Sequence, residues 1–299
     1  MPSQHTQETG QYHIPVMAPE VLEFLKVQPG HVYLDGTVGA GGHASHILAA
    51  LKPVGRLIGL DRDEDALDIC KTRFTSASSL LSLHHCSYHN FPQILEKLGV
   101  TQLKGLLLDL GLSSMQLDSS HRGFSYRSSS PLDLRFDPSK GLTAAELIEA
   151  STEKELSTFF RDFGEERRSG KIAYMIKKIG YIGTTDDLIE AIRRSTPPAN
   201  RNRTLARIFQ ALRIAVNGEL KKLSYFLNHF LDSLEIGGRI VILSYHSLED
   251  RLVKHKFKSL KQQSKLTILT RKPLIPSEKE QNENSRSRSA KLRAAERIA

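Results

Sequence analysis

Three aspartates each close a short apolar run: Asp35 in VYLD, Asp61 in RLIGLD and Asp109 in GLLLD. The first leads straight into a loop holding Gly36, Gly39, Gly41 and Gly42, ahead of the helical pattern ASHILAALK. Glycines this dense let a backbone bend sharply and approach a ligand closely, because no Cβ intervenes. A triphosphate loop needs Gly-Lys-Ser/Thr at its end, and GGH stands there instead. Gly39-x-Gly41-x-x-Ala44 satisfies the glycine-or-alanine form of a dinucleotide loop, with Asp61 placed where an acid accepts ribose hydroxyls. That pattern serves any adenosine-like ligand, and a tight turn without a ligand is the plainer alternative. The other two acids discriminate. A pyrophosphate is repelled by further carboxylates, whereas an adenosine carrying a sulfonium and an ammonium is held by them. Asp35, Asp61 and Asp109 at consecutive strand ends therefore favour S-adenosylmethionine over a nicotinamide dinucleotide.

The elements that must position these residues are readable in outline. HVYLDGT, GRLIGLDRD, LSLHHCS and KGLLLDLGLSS read as buried strands, separated by the helical stretches ASHILAALK, DEDALDICKTRF and FPQILEKL. Such alternation builds an α/β fold, a Rossmann-like parallel sheet covered on both faces. The pattern then changes to a polar loop, DSSHRGFSYRSSSPLDLRFDPSKG, followed by helical stretches, before GGRIVILSYHS returns as a strand. The expected organisation is a discontinuous cofactor-binding domain over residues 1–114 and 215–299, interrupted by an all-helical insertion over 115–214. In SYHSLEDR, Ser247-x-x-Asp250 reads as a capping box, leaving His246 at the rim of the last strand as a base, a nucleic-acid contact or a structural group.

A hydrophobic fraction of 39% with 25% charged residues is that of an ordinary globular protein. No apolar run is long enough to span a membrane, and the polar N-terminus carries no secretion signal, so the expected compartment is the cytoplasm. Cys70 and Cys86 are too few for a disulfide framework or a zinc site, and no metal is expected. From Arg251 onward there are 14 Lys and Arg against 4 Asp and Glu, so this segment holds the whole excess of a chain whose net charge is +9. It reads as an attraction for nucleic acid, with a solvated tail as the alternative. A helix from about Arg203 adds to this reading. Leu205, Ile208, Phe209, Leu212, Ala215 and Val216 share one stripe, and Arg203, Arg207, Gln210, Arg213 and Asn217 the opposite arc. No acid lies between Ala191 and Ile214, so Arg203, Arg207 and Arg213 are candidate phosphate contacts.

With these residues in view, the chain resembles the ribosomal RNA small-subunit methyltransferase H family. HIPVMAPEVLEFL, YLDGTVGAGGH, LDRDEDAL, LLLDLGLSSMQLD, RGFS, PLDLRFD, FGEER, FQALRIAVNGEL, SYHSLEDR and SRSAKLRAAER occur in family order, from about His13 to Arg297. The resemblance implies methylation of N4 of a cytidine in the decoding region of 16S rRNA, on naked rRNA or on the small ribosomal subunit. It implies donor contacts at Gly41, Gly42, His43, Asp61, Asp109 and Gln116, and at Tyr88, which stands where the family carries phenylalanine. Ala206 replaces a family threonine. The Asn/Asp-Pro-Pro-aromatic motif of many amino-methyltransferases is absent, so Asp109, Ser113, Ser114 and His246 are the candidates for handling the amine. Phe124, Tyr126 and Phe136 could stack on a base swung out of the RNA. The rival readings are a nicotinamide-dependent oxidoreductase and a non-catalytic ribosome-assembly factor. The oligomeric state is open, a dimer among the options.

Overall fold

Seven strands form one sheet in the order β3-β2-β1-β4-β5-β7-β6. The computed structural model describes residues 14–51, 54–119, 121–126 and 129–299, without the side chains of Ser114 and Asp118. His13, at the start of the family resemblance, and the N-terminal segment before it lie outside the described residues. Strands β1 (Val32–Asp35), β2 (Arg56–Asp61), β3 (Leu81–His85), β4 (Leu103–Asp109) and β5 (Leu234–Ser244) run parallel. Their apolar runs are continuous because both faces are covered. Leu106 and Leu108 enter one core with Ile240 and Ile242, while Leu107 enters the other with Val241 and Leu243. The period of two along each strand divides the same run between two layers.

Helices α1 (Ala18–Leu25), α2 (Gly42–Leu51) and α3 (Glu64–Arg73) flank the sheet with α4 (Phe91–Lys97), α11 (Glu219–His229) and α12 (Ser247–Gln262). Between β4 and β5 the chain leaves the sheet through α5 (Ser114–Asp118). It then builds a helical layer of α6 (Ala144–Ala150), α7 (Glu153–Asp162), α8 (Ser169–Ile179), α9 (Thr185–Ser195) and α10 (Arg201–Asn217). Capping boxes start three of these helices, at Thr143 with Glu146, Thr152 with Glu155 and Thr184 with Asp187. The layer has its own core, including Phe124, Phe136, Leu156, Phe160, Ile172 and Ile208. The expected boundaries at 114/115 and 214/215 fall inside α5 and α10, so both helices run continuously from one body into the other.

The C-terminal segment differs from its reading as a basic tail. After α12 it contributes β6 (Leu266–Ile268), the short α13 (Glu278–Glu283) and β7 (Lys291–Arg297). Strand β7 lies antiparallel between β5 and β6. Its core is small and apolar: Leu292, Ala294 and Ala295 are fully buried. Part of the local positive charge is consumed internally, since Arg293 pairs with Asp250 at 2.6 Å and Glu296 accepts from Arg239 at 2.8 Å. Among the described residues no helix is long and apolar enough to cross a membrane.

Candidate active site

The strand order reverses at β1, between β2 and β4, and open α/β sheets bind ligands outside the carboxyl ends of the strands at such a point. Asp35, Asp61 and Asp109 end these three strands. The glycine loop is pinned among them. Gly36 N–H donates to the Leu107 carbonyl, Thr37 N–H to Asp35 Oδ1 at 3.0 Å, and Gly39 N–H to Asp61 Oδ2 at 2.8 Å. The other oxygen of Asp61 accepts Asp63 N–H at 2.9 Å, so this carboxylate shapes the loop while keeping free lone pairs. Gly41 has φ +84°, and a side chain there would collide with the Phe74 ring, so its glycine is required by conformation and by α3 packing.

The electrostatics call for a cation. Asp35 is buried, its Oδ2 has no hydrogen-bond partner among the described residues, and burial pushes its carboxyl up to about 7 despite the opposing pull of His43. Burial also raises Asp61, against the two backbone N–H groups that favour its charged form. Asp109 is a quarter exposed and is held from both sides. Tyr245 Oη donates to its Oδ1 at 2.7 Å, and His43 Nε2 lies 3.4 Å from its Oδ2. Its own N–H donates to Thr37 Oγ1 at 2.7 Å, tying the end of β4 to the loop after β1. Tyr245 is shielded, and burial followed by the Asp109 charge holds its phenol well above its ordinary value. Gly111, at φ +122°, leaves room for the Tyr245 ring, which lies 3.0 Å from where a Cβ would be.

The other expected site residues divide. Gln116 closes a capping box with Ser113 at the start of α5 and donates to buried Asp63 at 2.9 Å. Arg122 reaches the same Asp63 oxygen at 3.0 Å and the Phe136 carbonyl at 2.9 Å. Gln116 and Ser113 are thus committed to a structural network beside the acids; the Ser114 side chain lies outside the described residues. Gly42 opens α2 against Pro15. Tyr88 is buried with its ring edge-on to Phe226 and its hydroxyl 3.4 Å from the Glu219 carbonyl. Phe124 and Phe136 stack on each other within the helical core, which leaves Tyr126, 40% exposed, as the free aromatic of that loop.

Two expectations need correction. The capping box of α12 lies one residue earlier than Ser247 with Asp250. His246 is the N-cap, and Glu249 Oε2 accepts the N–H groups of Tyr245 at 2.9 Å and His246 at 3.4 Å, while Asp250 turns to Arg293. His246 is consequently packed away from the rim, with its Nε2 3.2 Å from Glu249 Oε1. Burial pushes Glu249 up, but the hydrogen bond and charge of His246 and the charge of Arg213 outweigh it, and the net direction is down. The second correction is Arg213, which faces inward. Its guanidinium pairs with both oxygens of Glu219 at 2.9 and 3.0 Å, with 11% of the side chain exposed. Asn217 is likewise internal, holding Leu134 and Phe136 by their backbones. Glu219, His246 and Glu249 approach within 4.8 Å of one another, but Arg213 occupies Glu219, so the cluster is a charge-balanced network. Arg203 is exposed, and Arg207 is partly exposed beside Glu166 at 3.6 Å. Ala206 is exposed on the same helix. The sequence reading passed over Tyr245, Asp63 and Arg122; only the position of Tyr245, just past an apolar strand, could have signalled it.

A sequence profile of the MraW methylase family matches residues 10–298. The ribosomal RNA small subunit methyltransferase H of Kosmotoga olearia is 46% identical over 291 residues, spanning 96% of this chain and 97% of its own. The protein of the same name from Synechococcus elongatus is 43% identical over 296 residues, spanning 98% and 97%. Among solved structures, NSun6 from Pyrococcus horikoshii with SFG is similar with a TM-score of 0.50 at 12% identity, over 100% of this chain and 57% of that one, a likeness of fold alone.

Proposed function

The chain belongs to the MraW methylase family, and from that membership we propose that it methylates N4 of a specific cytidine in the decoding region of 16S rRNA, in the cytoplasm. S-adenosyl-L-methionine is its cofactor. The observation that carries the reading is the trio of strand-end acids, with Asp35 Oδ2 buried and unpartnered. A ligand bearing a sulfonium and an ammonium supplies the missing counter-charge, so the residues present fit this group. Bound there, it supplies an electrophilic methyl. Asp61 would hold the ribose hydroxyls, with the loop from Gly39 to His43 as the backbone wall. Asp35 and Asp109 would offset the positive charge.

The remaining chemistry falls to the chain. An amine conjugated into a pyrimidine is a poor nucleophile because its lone pair is delocalised. A fixed carboxylate accepting its N–H localises that lone pair without reorganising as charge develops. Asp109 is suited to this role: it is partly open, and Tyr245 and His43 fix it from opposite sides. It is also placed to take up the proton released when the N–CH3 bond forms. The names of the relatives support the rRNA substrate, and the exposed arginines Arg203 and Arg207 support the helical layer as an RNA-recognition domain over residues 115–214. A non-catalytic assembly factor would need no such acids at the strand ends. The test is mass spectrometry of 16S rRNA from cells with and without the gene. Loss of one methyl on a single decoding-region cytidine is expected, and an unchanged modification pattern overturns the assignment.

A further inference from the structure

Residues 167–185 contain five basic residues and no acid, in a helical layer whose other surfaces mix both signs. Within α8, Lys171, Tyr174 and Lys178 follow a spacing of three and four, which places them on one face. All three are exposed. Arg167, also exposed, precedes the helix, and Tyr181, 72% exposed, follows it. A side chain at Gly183 would run into the Tyr181 ring, so glycine leaves the space against which this tyrosine lies. The Lys178 ammonium sits 5.8 Å from the centre of the Tyr174 ring. Lys177, by contrast, turns inward to the Ile148 carbonyl at 2.6 Å and has no part in the stripe. Among the described residues none of Arg167, Lys171 and Lys178 has an acidic partner. An ordinary solvated helix face alternates charge to form pairs four residues apart, and large exposed tyrosines add nothing to solubility.

We infer that this face of α8 is a contact surface for single-stranded RNA, on which the tyrosines stack bases and the lysines and arginine meet phosphates. The inference rests on the proposed RNA substrate and adds where the flanking strand runs. Aromatic rings interleaved with cations are what unpaired nucleotides recognise, since every base has a face to stack and every linkage carries a charge. The stripe also starts in the right place. Glu165, just ahead of it, accepts from Ser247 Oγ at 2.9 Å and Arg251 at 3.1 Å at the start of α12, two residues beyond the tyrosine that holds Asp109. From there α8 leads away for roughly 16 Å. A strand delivering its base to Asp109 can therefore continue along the helix.

The test uses the full chain and a fluorescently labelled single-stranded RNA of 16S sequence, titrated over a range of salt. Lys171→Gln with Lys178→Gln should flatten the slope of log K against log salt by about 1.4, two charges at about 0.7 each on a single strand. Tyr174→Ala with Tyr181→Ala should weaken binding roughly 5- to 150-fold per stacked base, and the Phe pair at the same positions should restore it. Affinity for S-adenosyl-L-methionine and the melting temperature should stay unchanged in all three. Wild-type binding with unaltered slope and affinity in the variants overturns this inference and leaves the substrate assignment standing. Preference for a duplex, insensitive to the tyrosines, also overturns it. A wild-type protein that binds no RNA overturns both.

Discussion

At the scale of single residues, the site depends on pairs distant in sequence. Tyr245 and Asp109 are 136 residues apart, and their 2.7 Å hydrogen bond fixes the carboxylate at the end of β4. Removing the hydroxyl with Tyr245→Phe should slow methyl transfer at saturating cofactor by roughly 10-fold, about the worth of one hydrogen bond to a charged group. If Tyr245 acts through Asp109, the same change in an Asp109→Asn background should have little further effect; additive losses in single-turnover assays would separate the two residues. Asp35 gives a prediction of a different kind. Its folded-state pKa is raised from 3.8 to about 7, so between those values the folded protein keeps a proton that the unfolded chain has released. Stability of the cofactor-free protein therefore falls as pH rises through that window, by up to about 4 kcal/mol. Urea unfolding at about pH 5 and about pH 8 should show this decline in wild type and not in Asp35→Asn. Equal pH dependence in the two proteins would remove Asp35 as its source. The acids and glycines were legible because each sits in a short local pattern, strand then turn. The Tyr245 contact was not, because nothing in either segment names the other.

Elements explain both the successes and the misreadings. The apolar spacing in α10 is a property of one helix, and Leu205, Ile208, Phe209 and Leu212 are buried as that spacing requires. Periodicity assigns an angle around the axis but not what stands there. Opposite Arg213 stands Glu219, the first residue of α11, brought in by the turn at Gly218 in left-handed conformation. The arginine arc therefore splits, with Arg203 facing solvent and Arg213 buried. Arg213→Ala should cost about 3–5 kcal/mol in unfolding, because it strands a buried carboxylate, while Arg203→Ala should change stability by less than about 0.5 kcal/mol. Denaturant titration of both variants measures the contrast, and similar midpoints would mean that Glu219 finds another partner. The displaced cap of α12 has a similar origin. Ser-x-x-Asp satisfies the sequence pattern, but the helix begins at Ser247, so His246 and Glu249 occupy the capping positions and Asp250 is left for β7.

For the whole molecule, the five parallel strands and the helical layer were readable because local alternation and capping signals announce them. The last two strands were not. Basic residues on either side of the short apolar run in KLRAAER look like a tail until Arg293 meets Asp250 across the sheet. A chain ending at Ala290 should lose β7, expose the edge of β5 and detach β6, and we expect insoluble or molten protein without a cooperative transition. A sharp unfolding curve for that truncated chain would show the strand to be dispensable. The position of β7 also sets an order of events during synthesis. Strands β4 and β5, although neighbours, are separated by the entire helical layer, and β5 gains its second neighbour only when residues 291–297 arrive. The helical layer, built from contacts close in sequence, can form while the chain is still being made. The sheet cannot close until translation has passed Arg297. The nascent polypeptide thus carries a bare β5 edge through the final stretch of its production, a period in which it depends on chaperones to avoid pairing with other chains.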